Sequence, residues 1–153
     1  MAKIDEVVTT IKEKFPQAVE ETVCFRDEHT IRVKREHLLE VSRFLKEDPA
    51  TTFNFLSDLC GVDYMGREPR FEVVYHLYSM EHKQRLRMKV SLSESDLSIP
   101  SVVSIWRTAN WHERECFDLL GITFSDHPDL TRILTPDGFK EHPLRKDFPL
   151  RGR

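Results

Sequence analysis

The side chains with the clearest chemical potential fall within one short stretch, residues 110–120. Arg114 and Asp118 are four residues apart and Glu115 and Asp118 are three apart, so the three would share one side of a helix. Two carboxylates at this spacing are compatible with general acid–base catalysis. The alternative is a helix surface of ion pairs. No nucleophile or oxyanion-stabilising motif accompanies the acids, so the sequence favours ion pairs.

A second pair in this stretch has metal-binding spacing. His112 and Cys116 are four residues apart, which suits two zinc ligands on one helical turn. A structural zinc needs four ligands, and the nearest further ones are Asp126 and His127. Because there is no second Cys/His pair, the sequence favours a helix with a buried cysteine over a metal site.

Other cofactor signals are absent from the sequence. Cys24, Cys60 and Cys116 are too scattered for a disulfide framework or a C-x-x-C motif, and too few for a four-cysteine iron–sulfur cluster. The chain has no G-x-G-x-x-G, P-loop or H-E-x-x-H motif. We therefore expect no metal, cofactor or catalytic site in this chain, and a reducing compartment.

The helix that must position these residues has predictable ends. Asn110 is the expected N-cap, and Glu113 then occupies the N3 position of a capping box. Gly121 suits the left-handed position that follows a helix. The pattern predicts a helix that ends just before Gly121.

The rest of the chain predicts an α+β fold. Apolar periodicity indicates the following elements: a helix over 4–15, a hairpin over 18–25 and 30–34 with its turn at 26–29, a helix from 38 to about 48, a strand over 53–59 with a turn at 60–63, and an antiparallel pair over 70–79 and 85–92. Helices and strands do not alternate singly. We expect two layers, with a mixed or mainly antiparallel sheet of about five strands packed with helices, plus an extended C-terminal tail.

The chain changes character after Phe124, which predicts an α+β domain over 1–124 and a tail over 125–153. The tail contains four prolines, and its charge from Lys140 onward is +3 against −6 for the remainder. Its apolar residues are spaced along this basic strip: Phe139, Leu144, Phe148 and Leu150. Such spaced anchors favour docking on a partner over a disordered terminus.

Composition excludes several classes of protein. A length of 153 residues fits one domain, and 39% apolar with 10% aromatic residues argues against a disordered chain. A net charge of −3 does not indicate a nucleic-acid binder. The sequence has no apolar run long enough to span a bilayer, and its start predicts neither a secretory signal nor a transit peptide.

Residues 113–150 resemble the signature of the 30 kDa subunit of respiratory complex I, the proton-pumping NADH–quinone oxidoreductase. The matching segments read ERECFDLLGITF, HPDL, RIL and HPLRKDFPL, and LCGVDY at 59–64 is also similar. Thr131 departs from the family, which commonly has a basic residue there. The signature or interface residues implied by the resemblance are Glu113, Arg114, Glu115, Asp118, Gly121, His127, Pro128, Arg132, His142 and Pro143.

The resemblance implies a non-catalytic structural subunit of the peripheral arm. It would pack against the 49 kDa subunit at the quinone site and against the quinone-proximal iron–sulfur subunit, with its tail over the former. FMN and iron–sulfur clusters would belong to partner subunits. The location would be the cytoplasmic side of a bacterial inner membrane, as a peripheral protein.

Three alternatives remain at this point. The chain could be the equivalent subunit of a membrane-bound hydrogenase or of a deazaflavin- or formate-linked complex, because the signature is shared in outline. A stand-alone metal-dependent or hydrolytic enzyme would use His112, Glu115 and Cys116, but lacks further ligands. A nucleic-acid module would use the basic tail, against the charge of an acidic body.

Overall fold

The computed structural model describes residues 4–149 of the chain. Three α-helices and seven strands lie within this range. In chain order they are α1 (Ile4–Lys14), β1 (Val19–Phe25), β2 (Glu28–Val33), α2 (Leu38–Glu47), β3 (Phe55–Asp63), β4 (Phe71–Ser79), β5 (Gln84–Leu92), β6 (Ser98–Pro100), α3 (Ala109–Leu120) and β7 (Thr123–Ser125). The helices predicted from the apolar spacing at 4–15 and 38–48 are confirmed. None of the described helices has the length and apolar character needed to cross a bilayer.

The main sheet has five strands in the order β1-β2-β5-β4-β3. β2 and β5 run parallel, whereas the other neighbours are antiparallel. β6 and β7 form a separate parallel pair. The predicted mixed sheet of about five strands is therefore confirmed, as is the antiparallel pair β4–β5.

The β1–β2 turn is tighter than the sequence suggested. Glu28 and His29 belong to β2, which leaves only Arg26 and Asp27 between the strands. Both have positive φ, 51° and 63°, the requirement of a two-residue turn whose twist matches the strands. The turn thus forms without glycine.

One hydrophobic core joins the helices to the sheet. Val7 and Ile11 of α1 and Val41 and Leu45 of α2 are buried in it. Alternate residues of the central strands complete this core: Phe71, Val73, Tyr75, Leu77, Leu86, Met88, Val90 and Leu92. The period-2 alternation seen in the sequence is thus the inner face of the sheet.

The predicted turn at 60–63 is wrong, because β3 continues through Asp63. Gly61 is required for close packing there. A Cβ at this position would overlap Leu120 Cδ1 and would lie 3.2 Å from Ile122 Cδ1. The glycine that suggested a turn therefore lets the end of α3 approach the strand.

Candidate functional site: buried carboxylates that hold the C-terminal segment

Asp118 on α3 is fully buried and surrounded by donors from the segment after β7 (residues 126–149, the C-terminal segment). Oδ2 accepts three consecutive backbone N–H groups, from Ile133 (3.1 Å), Leu134 (2.7 Å) and Thr135 (2.9 Å). Oδ1 accepts from Arg132 Nη1 (2.8 Å) and from the Thr135 hydroxyl. One carboxylate therefore fixes four successive residues of the chain.

The electrostatics of this contact exclude a role for Asp118 as a general base. Burial alone would raise the pKa of Asp118, but hydrogen bonds from Thr135, Leu134 and Arg132 outweigh burial and hold it well below its ordinary value. A base must have a pKa near the working pH and a free lone pair facing the substrate. Asp118 has neither, so its chemistry is that of a permanent anion.

Arg132 and His142 extend the contact to the backbone of Asp118. Arg132 Nη1 donates to the Asp118 carbonyl (3.1 Å) and to the Glu141 carbonyl (3.0 Å), and its guanidinium lies 5.5 Å from the centre of the Phe139 ring. His142 Nδ1 lies 3.1 Å from the same Asp118 carbonyl. These carbonyls at the end of α3 lack helical partners, so the segment caps the helix.

Arg114 makes a parallel contact one turn earlier on α3. Its Nε donates to the Thr131 carbonyl (3.1 Å) and its Nη2 to the Thr131 hydroxyl (3.0 Å). The guanidinium also lies 5.4 Å from the Trp111 ring centre. Thr131, where the family commonly has a basic residue, is thus an acceptor for an arginine in this chain.

Gly121 ends α3 in the left-handed conformation that the sequence predicted, with φ of 81°. A Cβ here would lie 2.7 Å from Arg145 Nη2 and 2.8 Å from the His142 ring. Arg145 Nε in turn donates to the Leu120 carbonyl (2.8 Å). Glycine therefore serves both the helix end and the close passage of the C-terminal segment.

A second buried carboxylate, Asp63 at the end of β3, holds the segment farther along. Arg70 donates to it through Nε (2.7 Å) and Nη2 (2.8 Å), and the Lys146 backbone N–H donates to Oδ2 (2.8 Å). Arg70 also pairs with Glu94 (3.1 Å) and Asp147 (3.3 Å). The bidentate Arg70 guanidinium lowers the pKa of Asp63 below its ordinary value despite burial.

Glu113 lies apart from this network, and the predicted capping box is wrong. α3 begins at Ala109, so Glu113 is farther into the helix than N3. The side chain is fully buried and accepts from the Ser101 hydroxyl (2.5 Å) and the Val102 N–H (3.1 Å). Glu113 thus stabilises the turn after β6 from inside the core.

We expect Glu113 to make stability depend on pH. Burial raises its pKa to about 7, although the Ser101 and Val102 bonds oppose the shift, from an ordinary value of 4.5. The folded protein binds the extra proton between these values, so stability falls as pH rises from about 5 to 8, on the order of 3 kcal/mol.

The measurement is urea unfolding of the chain at intervals from pH 5 to pH 8, compared with Glu113→Gln. Because every histidine is common to both proteins, their difference in slope reports Glu113. The variant should show a flatter profile over this window. Parallel profiles would contradict the assigned pKa.

The remaining predicted residues occupy separate environments. Glu115 is exposed, and Cys116 is buried against β3. His112 Nδ1 lies 3.4 Å from Asp58 Oδ1. His127 accepts the Asp129 N–H at Nδ1 (3.0 Å) and lies 3.2 Å from the Asn110 carbonyl through Nε2. The helix therefore presents neither a paired acid–base site nor a shared ligand site.

His127 contacts the first turn of α3. Pro128 beside it is exposed and Pro143 is half-buried. Both prolines follow a histidine that bonds to a backbone carbonyl. Leu150, one of the predicted anchors, lies outside the described residues.

Sequence reasoning missed Asp63, Arg70 and Thr135. Asp63 falls on the inward-facing period of β3, after Leu59 and Gly61. A charged residue at an apolar position indicates a buried partner. That signal could have identified Asp63, but not Arg70 or Thr135 as its neighbours.

The fold and the site define an α+β protein with a mixed five-stranded sheet, in which buried carboxylates fasten the C-terminal segment to the domain. Sequence comparison places it within that class. A family model, "Respiratory-chain NADH dehydrogenase, 30 Kd subunit", matches residues 31–153. The chain belongs to this family, which confirms the resemblance read from residues 113–150.

Individual relatives agree with this assignment. The chain is 49% identical to the C subunit of the NADH-quinone oxidoreductase of Roseiflexus sp. (strain RS-1), over 94% of this chain and 83% of the relative. It is 47% identical to the corresponding C subunit of Geobacter sulfurreducens, over 99% and 93%.

Two solved structures share the fold. "Nqo5 of the trypsin-resistant fragment" superposes with a TM-score of 0.71 at 31% identity, covering 83% of this chain and 98% of that one. A chain in the structure of the membrane-bound sulfane sulfur reductase, an archaeal respiratory membrane complex, superposes with a TM-score of 0.80 at 27% identity, covering 97% and 87%.

Proposed function

We propose that this chain is a structural subunit of a proton-translocating NADH–quinone oxidoreductase, required for assembly of its peripheral arm. The observation that carries the proposal is the way Asp118 and Asp63 hold the C-terminal segment on the domain. Ordering this segment in advance lowers the entropy cost of binding along it. The names of the relatives, which are C subunits of NADH-quinone oxidoreductases, support the identity of the complex.

The fixed segment presents apolar side chains to the outside. Leu134 and Leu144 are 62% and 59% exposed, and Trp111 on α3 is 63% exposed. Large exposed apolar side chains on a rigid frame are typical of protein interfaces. The tail was predicted to bind a partner, and the proposal keeps that role for its outer side, while its inner side contacts the domain.

The partners proposed are the 49 kDa subunit at the quinone site and the quinone-proximal iron–sulfur subunit. In the proposal, FMN and iron–sulfur clusters belong to other subunits and no reaction step takes place in this chain. The occupied lone pairs of Asp118 and the separation of Glu115 from it support this part. The proposed location is the cytoplasmic side of a bacterial inner membrane.

The test replaces Leu134 and Leu144 by serine in the tagged full chain, expressed in the organism that makes it. Membranes are solubilised gently and captured material is stained for NADH oxidation on a native gel. Two lost anchors should lower the amount of large, NADH-oxidising assembly by about tenfold or more. Met80→Ser, at a 58% exposed position between β4 and β5, is the matched control and should assemble normally.

Melting temperatures of the purified variants separate assembly from folding. Unchanged melting with lost assembly supports the proposal. Normal assembly of the double variant, or equal loss in Met80→Ser, would overturn it.

The likeness to a chain of an archaeal respiratory membrane complex supports a second candidate, the equivalent subunit of a membrane-bound hydrogenase or a deazaflavin- or formate-linked complex. The same gel distinguishes the two. A large assembly that contains flavin and oxidises NADH supports complex I, whereas a large assembly without either supports the second candidate.

A further inference from the structure

The strand pairing brings together three potential metal ligands that are far apart in the sequence. Asp58 and Cys60 lie on β3, and Asp58 is the register partner of His76 on β4. Their ligand atoms, a carboxylate oxygen, a sulfur and a ring nitrogen, all lie within 4.8 Å of one another. We propose that Asp58, Cys60 and His76 form a binding site for one thiophilic divalent cation of the zinc class, a site separate from the proposed assembly role.

The donor set selects the class of cation. Thiolate and imidazole suit Zn²⁺ and Co²⁺, whereas Mg²⁺ and Ca²⁺ require oxygen ligands. Zinc bonds of about 2.0–2.3 Å bring tetrahedral ligands to roughly 3.5 Å apart. The three side chains reach this spacing through movements of about 1 Å. Two anionic ligands, Asp58 and the Cys60 thiolate, neutralise a divalent charge.

The ligand atoms are available for binding. Within residues 4–149, neither the Cys60 thiol nor the His76 ring forms a hydrogen bond with another protein group. Asp58 and His76 line a groove of about 620 Å³ on the sheet, which gives an ion access. Burial and the nearby Arg87 lower the pKa of His76, which keeps its ring neutral for coordination.

The surrounding charges bear on the site. Arg87 of β5 is the register partner of His76, and its guanidinium is paired with Glu28 (2.9 Å). His112 of α3 lies 3.4 Å from the Asp58 carboxylate on the other side. We assign His112 the role of orienting the Asp58 carboxylate, a contact typical of residues around metal ligands. The fourth coordination position would be held by water.

This site revises the expectation of no metal in the chain. The pair with zinc spacing on the helix, His112 and Cys116, does not form it, because Cys116 is buried on the opposite, core side of β3. Sequence spacing does not show Cys60 and His76 together, because only the β3–β4 register brings them close.

The experiment titrates the chelator-treated full chain with Co²⁺ and then Zn²⁺, followed by absorption. One Co²⁺ per chain should bind with a thiolate charge-transfer band, and Zn²⁺ should abolish the band. Cys60→Ser should remove the band and weaken Zn²⁺ binding by about 100-fold or more, because loss of a ligand exceeds the roughly 10–100-fold effect of residues around it. His112→Gln should weaken binding by about tenfold.

Cys24→Ser is the control, because Cys24 is exposed and its sulfur lies 3.7 Å from His29 Nε2. Binding should survive this change. Absence of Co²⁺ binding, a band that persists in Cys60→Ser, or a band lost in Cys24→Ser would each overturn the proposal. Asp58→Asn, at an exposed position, gives the same answer if Cys60→Ser fails to fold.

Discussion

Replacing Asp118 by asparagine should release the C-terminal segment and destabilise the chain by about 3–5 kcal/mol, the range expected when one member of a buried charged pair is removed. The asparagine amide would place donors against donors. The Arg132 guanidinium, with its side chain 15% exposed, would lose its carboxylate while still enclosed. The backbone N–H groups of 133–135 would lose a charged acceptor. Because Asp118 is fully buried, solvent screens little of this loss.

The measurement is chemical denaturation of the purified full chain. Glu115→Gln is the matched control, since it removes an exposed carboxylate from the same helix and should change stability by less than about 1 kcal/mol. Limited trypsin digestion adds a local readout. Lys140, Arg145 and Lys146 should become cleavable in Asp118→Asn before the domain unfolds. Equal stability of Asp118→Asn and Glu115→Gln would contradict the anchoring role.

The parts of the fold that depend on local pattern were predictable. The alternation of β4 and β5 and the apolar spacing of α1 and α2 are properties of each element, and a buried face determines them. The left-handed Gly121 was predictable for the same reason, because a helix end needs a residue tolerant of positive φ.

Glu113 shows where local reasoning misled. The capping-box pattern was present, but helix ends are selected by tertiary contacts as well as by sequence. Ala109, Glu113, Cys116 and Leu120 follow i, i+4, i+7 and i+11 and are all buried. A carboxylate on this apolar face was a better indicator of burial than its distance from Asn110.

The attachment of the C-terminal segment could not be predicted in detail. Its prolines and weak periodicity gave no local structure, and its donors to Asp118 are mostly backbone N–H groups, which every residue except proline offers. The charge network itself was a correct expectation in outline, in that Arg114 and Asp118 of α3 do contact the tail. The identity of the acceptors depends on a long-range approach that residue types do not encode.

The ion pair of Asp63 and Arg70 should produce the second large effect. Their side chains are 1% and 7% exposed, and the guanidinium donates to both carboxylate oxygens. Removing Arg70, as Arg70→Met, leaves Asp63, Glu94 and Asp147 facing one another without a cation. We expect a loss of about 3–5 kcal/mol for Arg70→Met, and a similar loss for Asp63→Asn.

A double-mutant cycle separates this pair from its surroundings. If the two charges act together, the double variant should lose less stability than the sum of the single variants, by about 0.5–3 kcal/mol. Arg87→Met is the matched control. Its pair with Glu28 is equally short at 2.9 Å, but the side chains are 30% and 65% exposed. That surface pair should contribute about 0.2–1 kcal/mol.

The comparison tests burial at constant geometry. Both pairs have hydrogen-bonding distances, so a similar cost for Arg70→Met and Arg87→Met would contradict the claim that Asp63 anchors the segment. A large cost confined to Arg70→Met, together with faster tryptic cleavage at Lys146, would link the ion pair to the segment directly, because the Lys146 N–H donates to the same Asp63 carboxylate. The cost would then measure how firmly the domain holds the surface that we propose for its partners.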